Sequence, residues 1–442
     1  MNKKTIAVLL LVILLAAPTS LALPAGAQDQ VTITLWHHWG GNRVPLMEES
    51  IAAFEEAHPG VKVENVFLPW DNRLENLLTA IAAGDPPEVT MFGRQDLPFF
   101  AVTESIIPLD DYMARDGITP DMFTASEFAG NVYNGKTYML PQPTGGALEI
   151  VWYNKDQARE AGLDPDSFPQ TWDELKVWGE AMSQGEGGFL DRVGIDVLSS
   201  GGEQPAFLMW LNANGQDWIS EDLRTVTINN EAGIQTLEFM QSFTDDINFG
   251  VVEVRSFYEG GAELGNDIFF YGKESAQVNG SWVLFQLTEF APDMDFGIAA
   301  IPYGPSGNPD RRGSTYGGWG YMIPKNAAHP DEAWELVKWL TAEVDGKGAC
   351  WFLQQQQRPS PLAACDGYLT DAGTHPRAAE ILAAAALDNV SAISPVQPQV
   401  LQIITQMTDD VLFGDKSPEQ ALSDAQAEIQ ALLDDFWSQY GG

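Results

Sequence analysis

The sequence predicts an α/β protein with two lobes. Segments with the pattern of strands alternate with amphipathic helices, beginning with a strand at 31–36, a helix at 47–57 and a second strand at 61–66. About 415 residues remain after an export signal, which is more than one ordinary hydrophobic core accommodates. With 45% hydrophobic and 11% aromatic residues, the chain can fill two cores.

The first 27 residues have the pattern of a secretory signal peptide. Lys3 and Lys4 precede an apolar run at 6–17, and small residues at 25–27 offer a cleavage site. The apolar run is short for a membrane span, and no cysteine follows it to carry a lipid anchor. We therefore expect residues 1–27 to be removed and the protein to be exported, soluble, to the periplasm or the outside of the cell envelope.

The two cysteines fit an oxidising compartment. Cys350 and Cys365 lie fifteen positions apart, and an even number of cysteines in an exported chain favours a disulfide over two unpaired buried thiols.

The charge of the chain excludes some partners. Without Lys3 and Lys4, 21 basic residues face 62 acidic ones, a net charge of −41. Such a field repels nucleic acid and anionic membranes, but it does not identify a ligand.

Polar and aromatic side chains follow the first three predicted strands. His37, His38 and Trp39 follow the first strand, Trp70 and Asp71 follow the second, and 93–96 (Gly-Arg-Gln-Asp) ends the third. In open α/β sheets, ligands bind outside the carboxyl ends of strands, although solvated loops remain the alternative. Adjacent histidines point apart and no acidic or cysteine cluster joins them, so we expect no metal site.

The middle of the chain contains two strand or helix boundaries with clear signals. Thr171 and Glu174 have the spacing of a capping box at a helix start. The segment 276–282 (AQVNGSW) predicts a short strand and a turn that places Trp282 beside Gly280. Gln204 lies on a predicted cleft loop, whereas Trp210 and Trp218 could be core residues.

The stretch 315–340 predicts a strand that leads into a helix. Gly317 and Gly318 allow close approach of the backbone, residues 319–323 suit a buried strand, and Pro330 suits the first position of a helix. Simple core packing at a strand end is the alternative interpretation.

Taken in order, these stretches resemble the extracellular solute-binding proteins of ABC transporters, in the family that includes maltose-binding protein. The resemblance covers 84–89 (with Glu88 where aspartate is usual), 135–141 (GKTYMLP), 169–175 (PQTWDEL), 268–282 and 315–340. It implies a type II periplasmic-binding-protein fold with a ligand cleft between lobes and three hinge crossings, near Thr144, Tyr321 and Gln357. The implied division is a signal peptide at 1–27, an N-terminal lobe of 28–143 plus 322–356, and a C-terminal lobe of 144–321 plus 357–442.

The resemblance also implies a function: a monomer without cofactor or catalytic residues captures a carbohydrate by hinge closure and delivers it to a membrane permease. A flat aromatic ring covers the apolar face of a pyranose, and fixed polar groups hold its hydroxyls. The candidate stacking residues are Trp36, Trp39, Trp282 and Trp319. The candidate polar ligands are His38, Asp71, Arg94, Gln95, Asp96, Gln204 and Arg358, with Gly318 allowing close approach.

Two other functions remain open at this point. The same fold could bind a glycerol phosphoester, a polyamine or iron, and a phosphate ligand would need more basic groups than Arg94 and Arg358. A secreted glycoside hydrolase also has aromatic clefts and paired carboxylates, and a chain with 62 acids does not exclude one by composition.

Overall fold

The computed structural model describes residues 30–440 except 42, 70–71, 143–147, 201–203, 313, 316–317, 357, 359, 366–376 and 388–390. The predicted signal peptide, Asp71, Thr144, Gly317 and Gln357 therefore lie outside the described residues.

The first lobe is built on a five-stranded sheet. Its strands lie in the spatial order Val61–Phe67, Val31–His37, Val89–Gly93, Trp319–Met322 and Leu140–Pro141. The first three are parallel, with Leu35 beside Val89, and Trp319–Met322 is antiparallel to both of its neighbours. The carboxyl ends of the three parallel strands therefore meet at one edge, as the sequence predicts.

Helices Arg43–Ala57 and Pro330–Thr341 cover one face of this sheet. Their buried side chains, such as Phe54 and Trp334, join Leu35 and Tyr321 of the sheet in one core. Pro330 does begin its helix, where a missing N–H leaves no intrahelical bond unmade.

The second lobe is built on a sheet of six strands. The strands Phe296–Ala299, Leu148–Asn154, Glu274–Asn279, Phe189–Ile195 and Gln184–Glu186 lie in that order, and Ser314–Thr315 adds to the edge of Leu148–Asn154. The capping box starts the helix Trp172–Met182, with Thr171 and Glu174 exchanging hydrogen bonds. Trp210 and Trp218 are buried in the core of this lobe, as the interpretation of them as core residues predicted.

The remaining elements complete the two lobes. The other helices are Arg73–Ala83, Leu97–Val102, Asp110–Asp116, Ala125–Ala129, Lys155–Glu160, Ala206–Ala213, Glu231–Ile247, Val251–Gly261, Val283–Phe290, Ala349–Gln356, Ala378–Ala385, Gln397–Leu412 and Pro418–Tyr440. Short 3-10 turns occupy Arg94–Asp96, Pro120–Met122, Ala262–Leu264, Ile268–Tyr271 and Ala363–Cys365, and Val132–Tyr133 pairs with Lys136–Thr137. No helix in the described ranges is long and apolar enough to cross a membrane.

The chain passes between the lobes three times. It leaves the first sheet after Leu140–Pro141 and returns to it at Trp319–Met322. The third passage follows Cys365, which packs in the first core, and precedes Ile381, which packs in the second lobe. This passage thus lies further along the chain than Gln357, because the disulfide between Cys365 and Cys350 keeps Cys365 on the first lobe.

The predicted disulfide is present. Cys350 and Cys365 are joined, with their Cα atoms 5.2 Å apart, and both are buried. In the chain-entropy view, closing a loop of fifteen residues stabilises a fold by about 3 kcal/mol. We expect the double variant Cys350→Ala/Cys365→Ala to lose about that much free energy of unfolding in urea denaturation. Reductant should shift the wild-type midpoint in the same direction; if it shifts the wild type and the variant equally, the bond does not stabilise the protein.

A group of buried carboxyls in the second lobe predicts a dependence of stability on pH. Burial, followed by the charge of Asp267, raises the pKa of Glu274 well above its ordinary value, and burial also raises the pKa of Asp196. Tyr258 donates a hydrogen bond of 2.7 Å to Glu274.

Above about pH 4.5 the unfolded chain releases the Glu274 proton while the folded chain keeps it, so the contribution of Glu274 to stability falls as pH rises through this window. The slope is about −1.4 kcal/mol per pH unit for one such group. Glu274→Gln, which stays neutral, should flatten the fall in the free energy of unfolding between pH 5 and 8. Asp156→Asn, at an exposed ion pair, serves as the control; equal slopes for Glu274→Gln and the wild type would contradict the prediction.

Candidate cleft between the lobes

One guanidinium lies between tryptophans of the two lobes. The Cζ atom of Arg358 lies 5.9 Å from the ring centre of Trp39 and 5.4 Å from that of Trp282. Trp39 belongs to the core of the first lobe, and Trp282 packs against a core of the second. Both distances are within the range of cation–π attraction, so the predicted residues Trp39, Trp282 and Arg358 meet at one point between the lobes.

The environment of Arg358 is buried. Its side chain is 1% exposed, and its Nε atom donates to the hydroxyl of Ser281 over 3.4 Å. Burial first, and then the charge of Arg43, lowers the pKa of Arg358 to about 9, while Glu127 opposes the shift. The guanidinium is therefore charged at neutral pH, although its burial and the nearby charge of Arg43 both disfavour the charged form.

Trp319 extends this aromatic group on the first lobe. Its ring centre lies 6.0 Å from that of Trp39, and Phe352 lies 6.1 Å from Trp39 on another side. Trp319 is only partly buried, at the start of the strand Trp319–Met322. A partly buried indole beside a buried one is a suitable platform for a flat apolar surface.

Arg94 and Gly318 form the next part of the site. Arg94 donates to the backbone oxygen of Glu127 at 2.7 Å, and its Nη2 lies 2.9 Å from the Glu127 carboxylate. Its backbone N–H donates to the carbonyl of Gly318 at 2.8 Å. Gly318 has φ +110°, and a Cβ there would stand 2.0 Å from Nη2 of Arg94. Both the positive φ angle and the lack of space for a Cβ therefore require glycine at position 318. The next residue, Trp319, then lies close to Arg94 in the chain's path.

Other predicted residues do not join the tryptophans. Trp36 packs on the opposite face of the first sheet from Trp39, among residues such as Phe92. Gln204 donates to the buried carboxylate of Glu149 at 2.6 Å. His38 contacts the carbonyl of Leu68 through Nδ1 at 3.0 Å, and burial is the main cause of its lowered pKa.

Gln95 and Asp96 face a separate crevice between the lobes. They line a cavity of about 220 Å³ together with Val396 and Phe436 of the C-terminal segment. Burial raises the pKa of Asp96 to about 6, and Arg73, with its Nη2 3.4 Å from the carboxylate, opposes that rise. These two residues therefore contact the second lobe at a place other than the tryptophan cluster.

The structure also adds Tyr321, Gln142, Arg43 and Glu127, which the sequence did not single out for the site. The Trp39 Nε1, the Tyr321 hydroxyl and the Gln142 amide are neighbours and are buried. In the described part of the chain, no well-formed hydrogen bond engages any of these groups. Arg43 lies against Trp39, with Cζ 5.0 Å from the ring centre. Its place just after the loop of residues 37–40 is the only sequence signal for it; Glu127 had none.

No three histidine, cysteine, aspartate or glutamate side chains among the described residues are grouped so that they could hold a metal ion. What the cleft does offer is indole faces, guanidinium groups and buried polar atoms.

Comparison with known proteins identifies the family. The sequence model of the bacterial extracellular solute-binding proteins matches residues 40–347. A Brucella abortus protein described only as a binding protein is 27% identical over 436 residues, covering 95% of this chain and 97% of its own. The sn-glycerol-3-phosphate-binding periplasmic protein UgpB of Shigella dysenteriae is 23% identical, with coverage of 95% and 97%.

Solved structures show the same two-lobe fold. CpMnBP1 with mannotriose bound superimposes with a TM-score of 0.78 at 23% identity, covering 90% of this chain and all of that one. The sugar-binding protein MalE of Xanthomonas citri gives 0.70 at 20% identity, with coverage of 93% and 99%. With a family match over more than half of its length, this chain belongs to the bacterial extracellular solute-binding proteins.

Proposed function

We propose that the protein is the substrate-binding component of an ABC importer and that it captures a carbohydrate between its lobes. The observation that carries the proposal is that Arg358 contacts Trp39 of the first lobe and Trp282 of the second, with Trp319 packed against Trp39. The partly buried indoles of Trp319 on the first lobe and Trp282 on the second can stack on the apolar faces of a sugar, while the buried Trp39 packs against Trp319.

Buried polar groups support a ligand rich in hydroxyls. The Trp39 Nε1, the Tyr321 hydroxyl and the Gln142 amide lie beside one another and make no well-formed hydrogen bond among the described residues. Buried polar groups are normally satisfied fully, by protein, water or a ligand. A site that pairs hydroxyls rejects analogues that lack them. A protein of similar structure, CpMnBP1, binds mannotriose, which is a ligand rich in hydroxyls.

The cellular setting follows from the same family. Residues 1–27 act as the signal peptide, and the exported protein works as a monomer that presents its closed lobes to membrane permease subunits. The proposed N-terminal lobe comprises 28–143 plus 322–356, and the proposed C-terminal lobe comprises 144–321 plus 357–442. The packing of Trp319–Met322 and Cys365 in the first lobe supports an N-terminal lobe that is longer at both of its later boundaries.

A thermal-shift screen of the mature protein against mono- and oligosaccharides tests the proposal, with calorimetry on each hit. We expect at least one sugar to raise the melting temperature and to bind with a stoichiometry of one. A panel in which only polyamines, or only iron, raise the melting temperature would replace the carbohydrate by that solute.

Binding without catalysis is the second half of the proposal. Glu127, the carboxylate beside the tryptophan cluster, is paired with Arg94, which favours a structural role over acid–base chemistry. Chromatography of the hit oligosaccharide after prolonged incubation should show it intact. Cleavage that persists in a repurified sample would identify a glycoside hydrolase instead.

A further inference from the structure

Two arginines lie against the same tryptophan of the cleft. Arg43, the first residue of the helix Arg43–Ala57, places its Cζ 5.0 Å from the centre of the Trp39 ring. Arg358 places its Cζ 5.9 Å from the same point. Burial first, and then the charge of Arg43, lowers the pKa of Arg358, so the two guanidinium groups repel each other. A fold that holds a buried and a partly buried cation at one indole keeps positive charge in the cleft of a strongly acidic protein.

No acid among the described residues neutralises Arg43. The first turn of its helix contains none, and burial alone lowers its pKa. Its Nε is buried without a hydrogen-bond partner in the described ranges. Exposed arginines elsewhere contrast with it: Arg115 contacts three carboxylates and Arg159 contacts two. Acidic side chains are abundant in this chain, yet the described ones leave this guanidinium without an ion pair.

We propose that the ligand is a saccharide or polyol that carries a negative charge, a carboxylate or a phosphoester, and that Arg43 binds this charge beside Trp39. The inference rests on the proposed function, since it names the class of ligand for the same cleft. A guanidinium forms two parallel hydrogen bonds to a carboxylate or phosphate, and these are stronger than bonds between neutral groups. An anion would also offset the repulsion between Arg43 and Arg358, which a neutral sugar leaves in place.

Matched pairs of ligands test this directly. Calorimetry would compare digalacturonate with galactobiose, glucuronate with glucose, and sn-glycerol 3-phosphate with glycerol, at low and at moderate salt. We expect the acidic member of at least one pair to bind at least tenfold more tightly than its neutral partner, with an advantage that shrinks as salt is added. Which pair responds distinguishes a carboxylate from a phosphoester.

Variants then assign the preference to Arg43. In Arg43→Gln the affinity for the acidic ligand should fall at least tenfold more than the affinity for its neutral partner, and Arg43→Lys should restore part of the difference. Arg224→Gln is the matched control, because Arg224 also stacks on a tryptophan, 4.4 Å from the ring centre of Trp437, outside the cleft. Melting curves confirm that each variant is folded.

The outcomes separate the two proposals. Neutral members that bind as tightly as the acidic ones would overturn the inference and leave carbohydrate capture standing. The same holds if Arg43→Gln weakens both members of a pair equally. If no member of any pair and no sugar of the wider panel binds, the proposed function fails and this inference fails with it.

Discussion

Trp282→Ala is expected to weaken ligand binding about thirtyfold while leaving the protein folded. Trp282 is only partly buried and faces the Arg358 guanidinium across the cleft, so its removal takes away one of the opposed stacking faces. Truncating an aromatic residue at the centre of a binding site typically costs about 2 kcal/mol of binding free energy, which corresponds to that factor in Kd. Calorimetry with the sugar identified by the screen, beside a melting curve, measures both quantities.

A second variant displaces the Trp282 ring without removing it. A Cβ at Gly280 would stand 1.9 Å from the ring of Trp282, so Gly280→Ala must displace the ring. Its affinity should fall in the same direction as that of Trp282→Ala. Trp437→Ala is the matched control, since Trp437 is partly buried under Arg224 on the C-terminal helix.

The opposite pattern would reassign Trp282. A core tryptophan truncated to alanine loses about 3–5 kcal/mol of stability. A large drop in melting temperature with unchanged affinity in Trp282→Ala would place the residue in the core of the second lobe and remove it from the site.

Local signals predicted the elements of this fold well. The alternation at 31–36, the capping box of Thr171 and Glu174, and Pro330 at a helix start are each decided by a few neighbouring residues, and the structure confirms them. The three parallel strands end at one edge of the sheet because they run in the same direction. The alternation of strands with helices along the chain already indicates this arrangement.

The partners within the site could not be predicted in the same way, because they are distant in sequence. Arg94 meets Glu127 thirty-three residues away, and Gln204 meets Glu149 fifty-five residues away. Trp36 and Trp39 are close in sequence but pack in different clusters, and side-chain alternation already places residues three positions apart on opposite faces of a strand. The role of Trp36 as a stacking residue stays a prediction, and the structure places this side chain away from Trp39 and Trp282.

Ligand binding is expected to close the two lobes and to reduce the radius of gyration. Three passages of chain join the lobes, and in this structure a single guanidinium contacts tryptophans of both. Without ligand, Trp282 and Trp319 are the platforms that an open form would expose to water. A ligand that touches both lobes binds the closed form better, and that difference in affinity is what shifts the population. Small-angle scattering of the mature protein, with and without saturating sugar, measures the change directly.

The same experiment has an energetic counterpart and a control. A ligand that binds only the folded protein, at a concentration one hundred times its Kd, adds about 2.7 kcal/mol to the free energy of unfolding. Trp282→Ala, given the wild type's sugar concentration, should show less compaction, because the second lobe loses its contact with the ligand. If saturating sugar adds the expected stability to the wild type but leaves the radius of gyration unchanged, binding occurs without closure, and the three passages act as fixed connections between lobes whose arrangement does not depend on the ligand.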